Sequence, residues 1–356
     1  MPEKHLGLLL TGLAAGDSLG STSAYHSREE VLALYEEHKD EGWPFCQVGK
    51  GRFRCSPGQP TDCTEMASCM VRSYLDNGGF DPEELAKSFV LWAKTGPRDI
   101  GATTVRGIGS LALGRPWFES GLEEFTTRPA SATNGSLMRN GVVPGMTDDL
   151  GEAFRISLYQ GIMTHYGPLP VLCCAMQTYL IWKLLGGSNV LEESWAMDFW
   201  TSWLEWYENM KDDEIVDSWS TFVTELYPQA YKALSEVEFD PDRYNPLVYS
   251  PTNGAGNVLT TLKTAIWGLY WSMTDRKFQA PVGWPEEVFE KRGPWVLGWV
   301  ALAGGDTSAY CATAGPMIAA AHGSLPDEMI EHLEVFDEFS DLWPQPASKS
   351  KKKNSS

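Results

Sequence analysis

The feature that most limits what this chain can fold into is the spacing of its apolar residues, which is helical almost from end to end. Leu8, Leu9, Gly12, Leu13 and Leu19 mark a first helix. A second runs over 61–74, with Pro60 before it and Asn77-Gly78-Gly79 to stop it. Asp81-Pro82-Glu83-Glu84 is an N-terminal cap signal for a run to Ala93. Further helical windows cover 100–113, 150–163, 168–185, 192–210, 216–226, 258–273 and 307–321. No series of alternating residues marks a sheet, so the expected fold class is all-α, a compact multi-helix bundle. Long Gly/Pro-rich loops at 50–60, 126–135, 239–256 and 274–294 have the length of binding loops.

No linker interrupts the helical windows. We therefore expect one domain over 1–343 and a disordered basic tail over 344–356, whose lysine run reads as a solubilising end or an import signal. A chain of 356 residues can bury a large core, and its 15 Trp belong there or around a pocket. The net charge of −19 works against binding nucleic acid directly, so an anionic ligand needs a local array of N–H groups or arginines. Seven Cys, an odd number without regular spacing, read as reduced thiols of an intracellular protein, cytoplasmic or nuclear, and not as disulfides or a zinc site. The opening apolar run reads as a buried helix and not as a leader. No stretch reaches the ~20 apolar residues of a membrane span.

Four segments carry candidate chemistry. In GLAAGDSLG (12–20), small residues at helical spacing followed by Asp17 suggest a tightly packed helix ending at a pocket. In QPTDCTEM (59–66), Thr61 or Asp62 opens a helix, and Asp62 and Glu65 can share a face. Taken alone, that pattern is equally an N-cap whose first-turn acids complement the helix dipole. In SATNGSLMRNGVVPG (131–145), Thr-Asn-Gly-Ser opens a helix and offers the backbone N–H groups of Asn134, Gly135 and Ser136 to an anion; an ordinary loop-to-helix cap reads the same way. In LAGGDTSAYCATAGPMIAAAHG (302–323), Gly304-Gly305 allows close approach to a ligand before Asp306 opens a small-residue helix.

In this order the four segments resemble the ADP-ribosylglycohydrolase family. TGPRDIGATT (95–104), THYG (164–167) and GNVLTTLKTAIW (256–267) add lesser matches, and together the likeness covers roughly 7–323. The resemblance implies an all-helical fold and hydrolysis of ADP-ribosyl bonds at a cleft. Members typically hold two Mg²⁺ with a Glu after the first helix, a Thr-Asp-Asp run and a late Asp-x-Asp-Thr run. This chain departs from that set. Ala24 stands where the Glu belongs, Cys63 where the second Asp of the first run belongs, and Ser308 and Ala309 where the second run has Asp and Thr. Thr61, Asp62 and Asp306 remain as candidates for one weakly held ion. No cofactor is therefore expected, and the family Mg²⁺ is in doubt.

Hydrolysis at an anomeric carbon needs one carboxylate to steady the developing cation and a second group to move protons. Asp62 with Glu65 is the expected pair, with Asp306 as a third catalytic acid. Asn134, Gly135, Ser136, His165, Asp99, Gly305 and Arg54 are the expected substrate contacts. His165 reads equally as a satisfied core histidine, and Cys63, with no His near it in sequence, as a packed thiol. The expected substrate is an O-glycosidic ADP-ribosyl bond, in poly(ADP-ribose) or on serine. ADP-ribosylarginine hydrolysis is the alternative, and a reader without catalysis or a bare scaffold is the competing class. Expected partners are ADP-ribosylated proteins or poly(ADP-ribose), with no membrane.

Overall fold

A computed structural model describes residues 2–190, 194–235, 244–248 and 256–335. Its described residues contain fifteen α-helices and no strand beyond two isolated bridges. In chain order they are α1 (Pro2–Ser21), α2 (Arg28–His38), α3 (Asp62–Asn77), α4 (Pro82–Lys94), α5 (Ala102–Ala112), α6 (Leu122–Thr127), α7 (Leu137–Asn140) and α8 (Leu150–Ile162). They continue as α9 (Pro168–Leu185), α10 (Trp195–Met210), α11 (Glu214–Val223), α12 (Tyr227–Ser235), α13 (Val258–Met273), α14 (Val296–Ala301) and α15 (Thr307–His322). The expected tail at 344–356 lies outside the described residues, as does the loop at 239–256 except for 244–248 and Gly256.

The bundle is built on one helix pair, α1 against α15. The small residues of 12–20 explain the closeness. A Cβ placed on Gly12 would lie 2.6 Å from the Gly315 carbonyl oxygen, one on Gly16 2.0 Å from that of Cys311, and one on Gly20 2.2 Å from that of Thr307. Glycine every fourth residue thus strips one stripe of α1 to backbone, and α15 lies along it. Helices α9, α13 and α14 pack around α15. The 18-residue α9 is apolar on all sides and mostly buried in the bundle, as a core helix should be. Trp43, Trp203, Trp219 and Trp299 are fully buried.

Caps set the helix starts where the sequence implies them. Asp81 Oδ1 accepts from the N–H groups of Glu83 and Glu84 at the head of α4. Helix α2 is an addition to the expected set. Ser27 and Glu30 form a reciprocal capping box, while the helix buries only Val31, Tyr35 and His38.

Candidate active site

The site begins with a cap supplied from another helix. Asp17, near the end of α1, is fully buried. Its carboxylate accepts from Thr61 N (2.9 Å), Thr61 Oγ1 (2.6 Å), Thr64 N (3.1 Å) and Thr64 Oγ1 (2.6 Å). Thr61 holds the N-cap position of α3, yet its own side chain makes no cap bond. Asp17 satisfies the free N–H groups of α3 from outside and so fixes α3 to the α1–α15 pair. Burial raises its pKa to about 6 against the pull of the four donors.

Beside this joint lies a cavity of about 120 Å³. Asp62 and Cys63 enter it from the first turn of α3, and Asp99 with 101–104 from the head of α5. Thr133, Asn134, Gly135 and Met138 line it from the approach to α7, with His165 behind them, and Tyr25, Gly256, Asp306, Ser308 and Ala309 complete the wall. A backbone pairing holds two of these loops together: Asn134 N donates to Gly256 O, and Val258 N to Ala132 O, both at 2.9 Å.

Three carboxylates face this space. Burial pushes Asp62 well above the usual carboxylate range, and the charges of Asp99, Asp17, Asp306 and Glu65 push it further. Asp99 rises to about 6, first through burial and then through Asp306 and Asp17. Asp306 is raised by burial as well, but donors hold it back: Asn134 Nδ2 at 2.9 Å, Ser308 Oγ at 3.4 Å, the Tyr25 hydroxyl and the Ala309 N–H. The like charges of the cluster raise Asp62 and Asp99 against one another's ionisation. Burial and neighbouring charge favour the protonated form of Asp62, while the donors around Asp306 favour its charged form.

Uncharged groups complete the lining, with Asn134 directly beside Asp306. Asn134 and Gly135 line the cavity, but the Asn134 N–H expected to be free for an anion donates to Gly256 O, so Asn134 faces the cavity by its side chain. A Cβ on Gly135 would come within 2.8 Å of both His165 Cε1 and Thr104 Oγ1, so this position requires glycine on steric grounds. His165 is buried, and its Nδ1 lies 2.8 Å from Thr164 Oγ1. Desolvation and the nearby Arg139 drive its pKa well below the usual imidazole value, so the ring is neutral.

Other expected site residues lie elsewhere. Glu65 Oε2 accepts from Trp92 Nε1 at 2.7 Å on the α4 side, and Glu65 does not line the cavity. Ser136 turns into the core, where its hydroxyl accepts from Cys174 Sγ and its carbonyl from Gln160 Nε2. Gly305, with a φ of 70°, shapes the turn before α15 through a backbone pair with 25–26, without lining the cavity. Arg54 is exposed and outside the cavity lining; its carbonyl, like that of Phe53, accepts from Arg98 Nη1.

Tyr25 and Thr104 line the cavity without having been singled out. Tyr25 has a left-handed backbone (φ 61°), which a bulky residue seldom adopts. Its N–H donates to Gly305 O at 2.5 Å and its ring meets Phe53 edge-on at 5.8 Å. It directly follows Ala24, the position of the missing Glu, which was the available clue.

Of the expected magnesium ligands, Asp62 and Asp306 are the carboxylates that reach the cavity. The Thr61 hydroxyl donates to Asp17, which fixes its proton and leaves its lone pairs free to accept. The Asp306 oxygens face N–H and O–H donors, whose positive ends oppose a cation.

The sequence pattern of the ADP-ribosylglycohydrolase family matches residues 3–352. The chain is 31% identical over 191 residues to the ADP-ribosyl-[dinitrogen reductase] glycohydrolase of Rhodospirillum rubrum, covering 53% of this chain and 60% of that protein. It is 29% identical over 189 residues to the ADP-ribosylarginine hydrolase Tri1 of Serratia proteamaculans (strain 568), covering 51% of this chain and 47% of that protein. The matches thus span about half of these curated relatives' length or a little more. A solved structure, an ADP-ribosylglycohydrolase-related protein complex, superposes with a TM-score of 0.64 at 21% identity, covering 96% of this chain and 95% of that one. That likeness shows the shared all-helical fold.

Proposed function

The chain belongs to the ADP-ribosylglycohydrolase family, and on that footing we propose that it hydrolyses an ADP-ribosyl glycosidic bond with carboxylates in place of a magnesium pair. What supports the reading is the set of three aspartates, Asp62, Asp99 and Asp306, around one cavity whose lining also offers Asn134, Gly135 and a neutral His165. Asp62, protonated, gives its proton to the leaving group as the bond to the anomeric carbon breaks and that group takes the electron pair. Asp306, ionised, steadies the positive charge that develops on the sugar. Asp99, nearer to solvent, takes a proton from the water whose oxygen bonds to the anomeric carbon. Asp99 thus replaces Glu65 in the pair expected from helix spacing.

The O-glycosidic linkage rests on the sequence's departure from the metal set. One observation favours the N-glycosidic arginine linkage instead: a rim of carboxylates suits a guanidinium leaving group. Two kinds of measurement test the reading together. Calorimetry with ADP-ribose is expected to give binding, and ADP-ribose release is measured from arginine-linked, serine-linked and poly(ADP-ribose) substrates. Release from any of the three supports the function and its ranking assigns the linkage. Binding without release leaves a reader, and no heat and no release from all three refutes both.

A further inference from the structure

Arg139, on α7, is fully buried and forms no ion pair among the described residues. Its Nε donates to Gln160 Oε1 (2.8 Å), and its Nη2 to Gln160 O (2.8 Å) and Thr164 Oγ1 (2.9 Å). The guanidinium also lies over the Phe89 ring at 4.7 Å. A guanidinium can only donate, so Thr164 Oγ1 must accept from it. The Thr164 proton then needs an acceptor, and the group within reach is His165 Nδ1 at 2.8 Å. In the opposite arrangement, with Nδ1 as donor, the buried Thr164 hydroxyl would accept twice and leave its own proton unplaced, which is costly away from water.

We propose that Arg139 and Thr164 form a positioning relay that fixes His165 as the Nε2–H tautomer, so that the ring offers the bound ligand a donor and never an acceptor. The inference rests on the proposed function for its ligand, the ADP-ribosyl group, whose phosphoryl and hydroxyl oxygens are the acceptors such a donor selects. The relay also places the Arg139 charge behind Thr164 and His165, which partly offsets the acids of the cavity for an anionic ligand. Asp62, Asp99 and Asp306 line the same cavity from α3, the approach to α5 and the head of α15, while Arg139 acts on the ring from α7. Burial and the Arg139 charge both oppose protonation of the ring, so the donor stays neutral.

The test is the ¹⁵N spectrum of the His165 ring together with ADP-ribose affinity. In the unsubstituted protein, Nε2 is expected to be protonated and Nδ1 bare from pH 5 to 8. Thr164→Val keeps the shape, leaves Arg139 bonded to Gln160, and removes the hydroxyl. It is expected to admit the second tautomer and weaken ADP-ribose binding by about ten-fold, the scale of one lost hydrogen bond, while Thr164→Ser restores both. A protonated Nδ1 in the unsubstituted protein overturns the relay, as does a folded Thr164→Val with unchanged tautomer and affinity. If Thr164→Val does not fold, the spectrum of the unsubstituted protein decides alone. Absence of both ADP-ribose binding and ADP-ribose release with the expected spectrum refutes the proposed function and leaves the relay standing.

Discussion

Replacing Gly16 by alanine tests how the helix pair at the centre of the fold holds the site. The new Cβ would sit 2.0 Å from the Cys311 carbonyl oxygen and 2.5 Å from its carbon. Ordinary contact begins near 3.4 Å, so α1 and α15 must separate locally by about 1.4 Å. The clashing atoms are backbone, and no side chain can turn aside. Overpacking of this kind costs about 1–3 kcal/mol, here at the upper end. Alanine's helix preference returns only ~0.5–1 kcal/mol, which leaves a net loss of about 2 kcal/mol. Gly109, exposed in α5, is the control, because a Cβ there meets nothing within 4 Å. Gly109→Ala should stabilise by ~0.5–1 kcal/mol through helix preference alone. Urea denaturation with the m-value checked for constancy measures both. Asp17 is the next residue after Gly16, so ADP-ribose affinity should fall with stability in Gly16→Ala and hold in Gly109→Ala. A Gly16→Ala protein within 0.5 kcal/mol of the parent would refute the close-contact account.

Other expectations follow from the site itself. Asp17 holds its proton more tightly folded than unfolded, so its contribution to stability is complete below about pH 4 and is lost as pH rises through about 6. The shift from 3.8 to about 6 corresponds to ~3 kcal/mol. Asp62 and Asp99 act in the same direction and His165 in the opposite one. The urea midpoint should therefore be higher at pH 5 than at pH 7.5, and the reverse order would contradict the burial of these acids. Asp62→Asn and Asp306→Asn should each lower turnover by about 10²-fold or more with the fold intact, whereas Glu65→Gln, which keeps an acceptor for Trp92 Nε1, should stay within a few-fold; equal losses in all three would return Glu65 to the machinery. Gly135→Ala should abolish ADP-ribose binding in calorimetry while circular dichroism stays helical, because its Cβ displaces His165 and Thr104; retained affinity would remove this wall from the ligand site.

Much of this architecture is legible in the sequence because local signals suffice for it. Helices α9 and α13 fall at the residues their apolar spacing marks, and the Asp81 cap starts α4 as its residue type implies. Helix α2 carries its capping box in plain view, but REEVLALYEEH has too thin an apolar stripe to stand out. The short α6, α7 and α14 have too few turns for a period to register. The site was legible in part. Asp62, Asp99, Asn134, Gly135, His165 and Asp306 converge as expected. Spacing alone did not show which way Glu65 turns. Three residues along a helix leave it about 60° round from Asp62, and Trp92, 27 residues further on, holds it there. Asp17's role as the cap of α3 joins residues 44 and 47 apart and depends on the α1–α15 pairing, which no local pattern encodes.

The measurement that bears most directly on the account is the rate of ADP-ribose release from the best substrate, taken after chelation with EDTA and again with Mg²⁺ restored. Ala24, Cys63, Ser308 and Ala309 stand where oxygen ligands would be needed, and the Asp306 oxygens are already held by donors. The account predicts the same rate in both conditions and a loss of about 10²-fold or more in Asp62→Asn. Activity abolished by EDTA and recovered with Mg²⁺ would contradict it, and would mean that Thr61, Asp62 and Asp306 bind an ion after all.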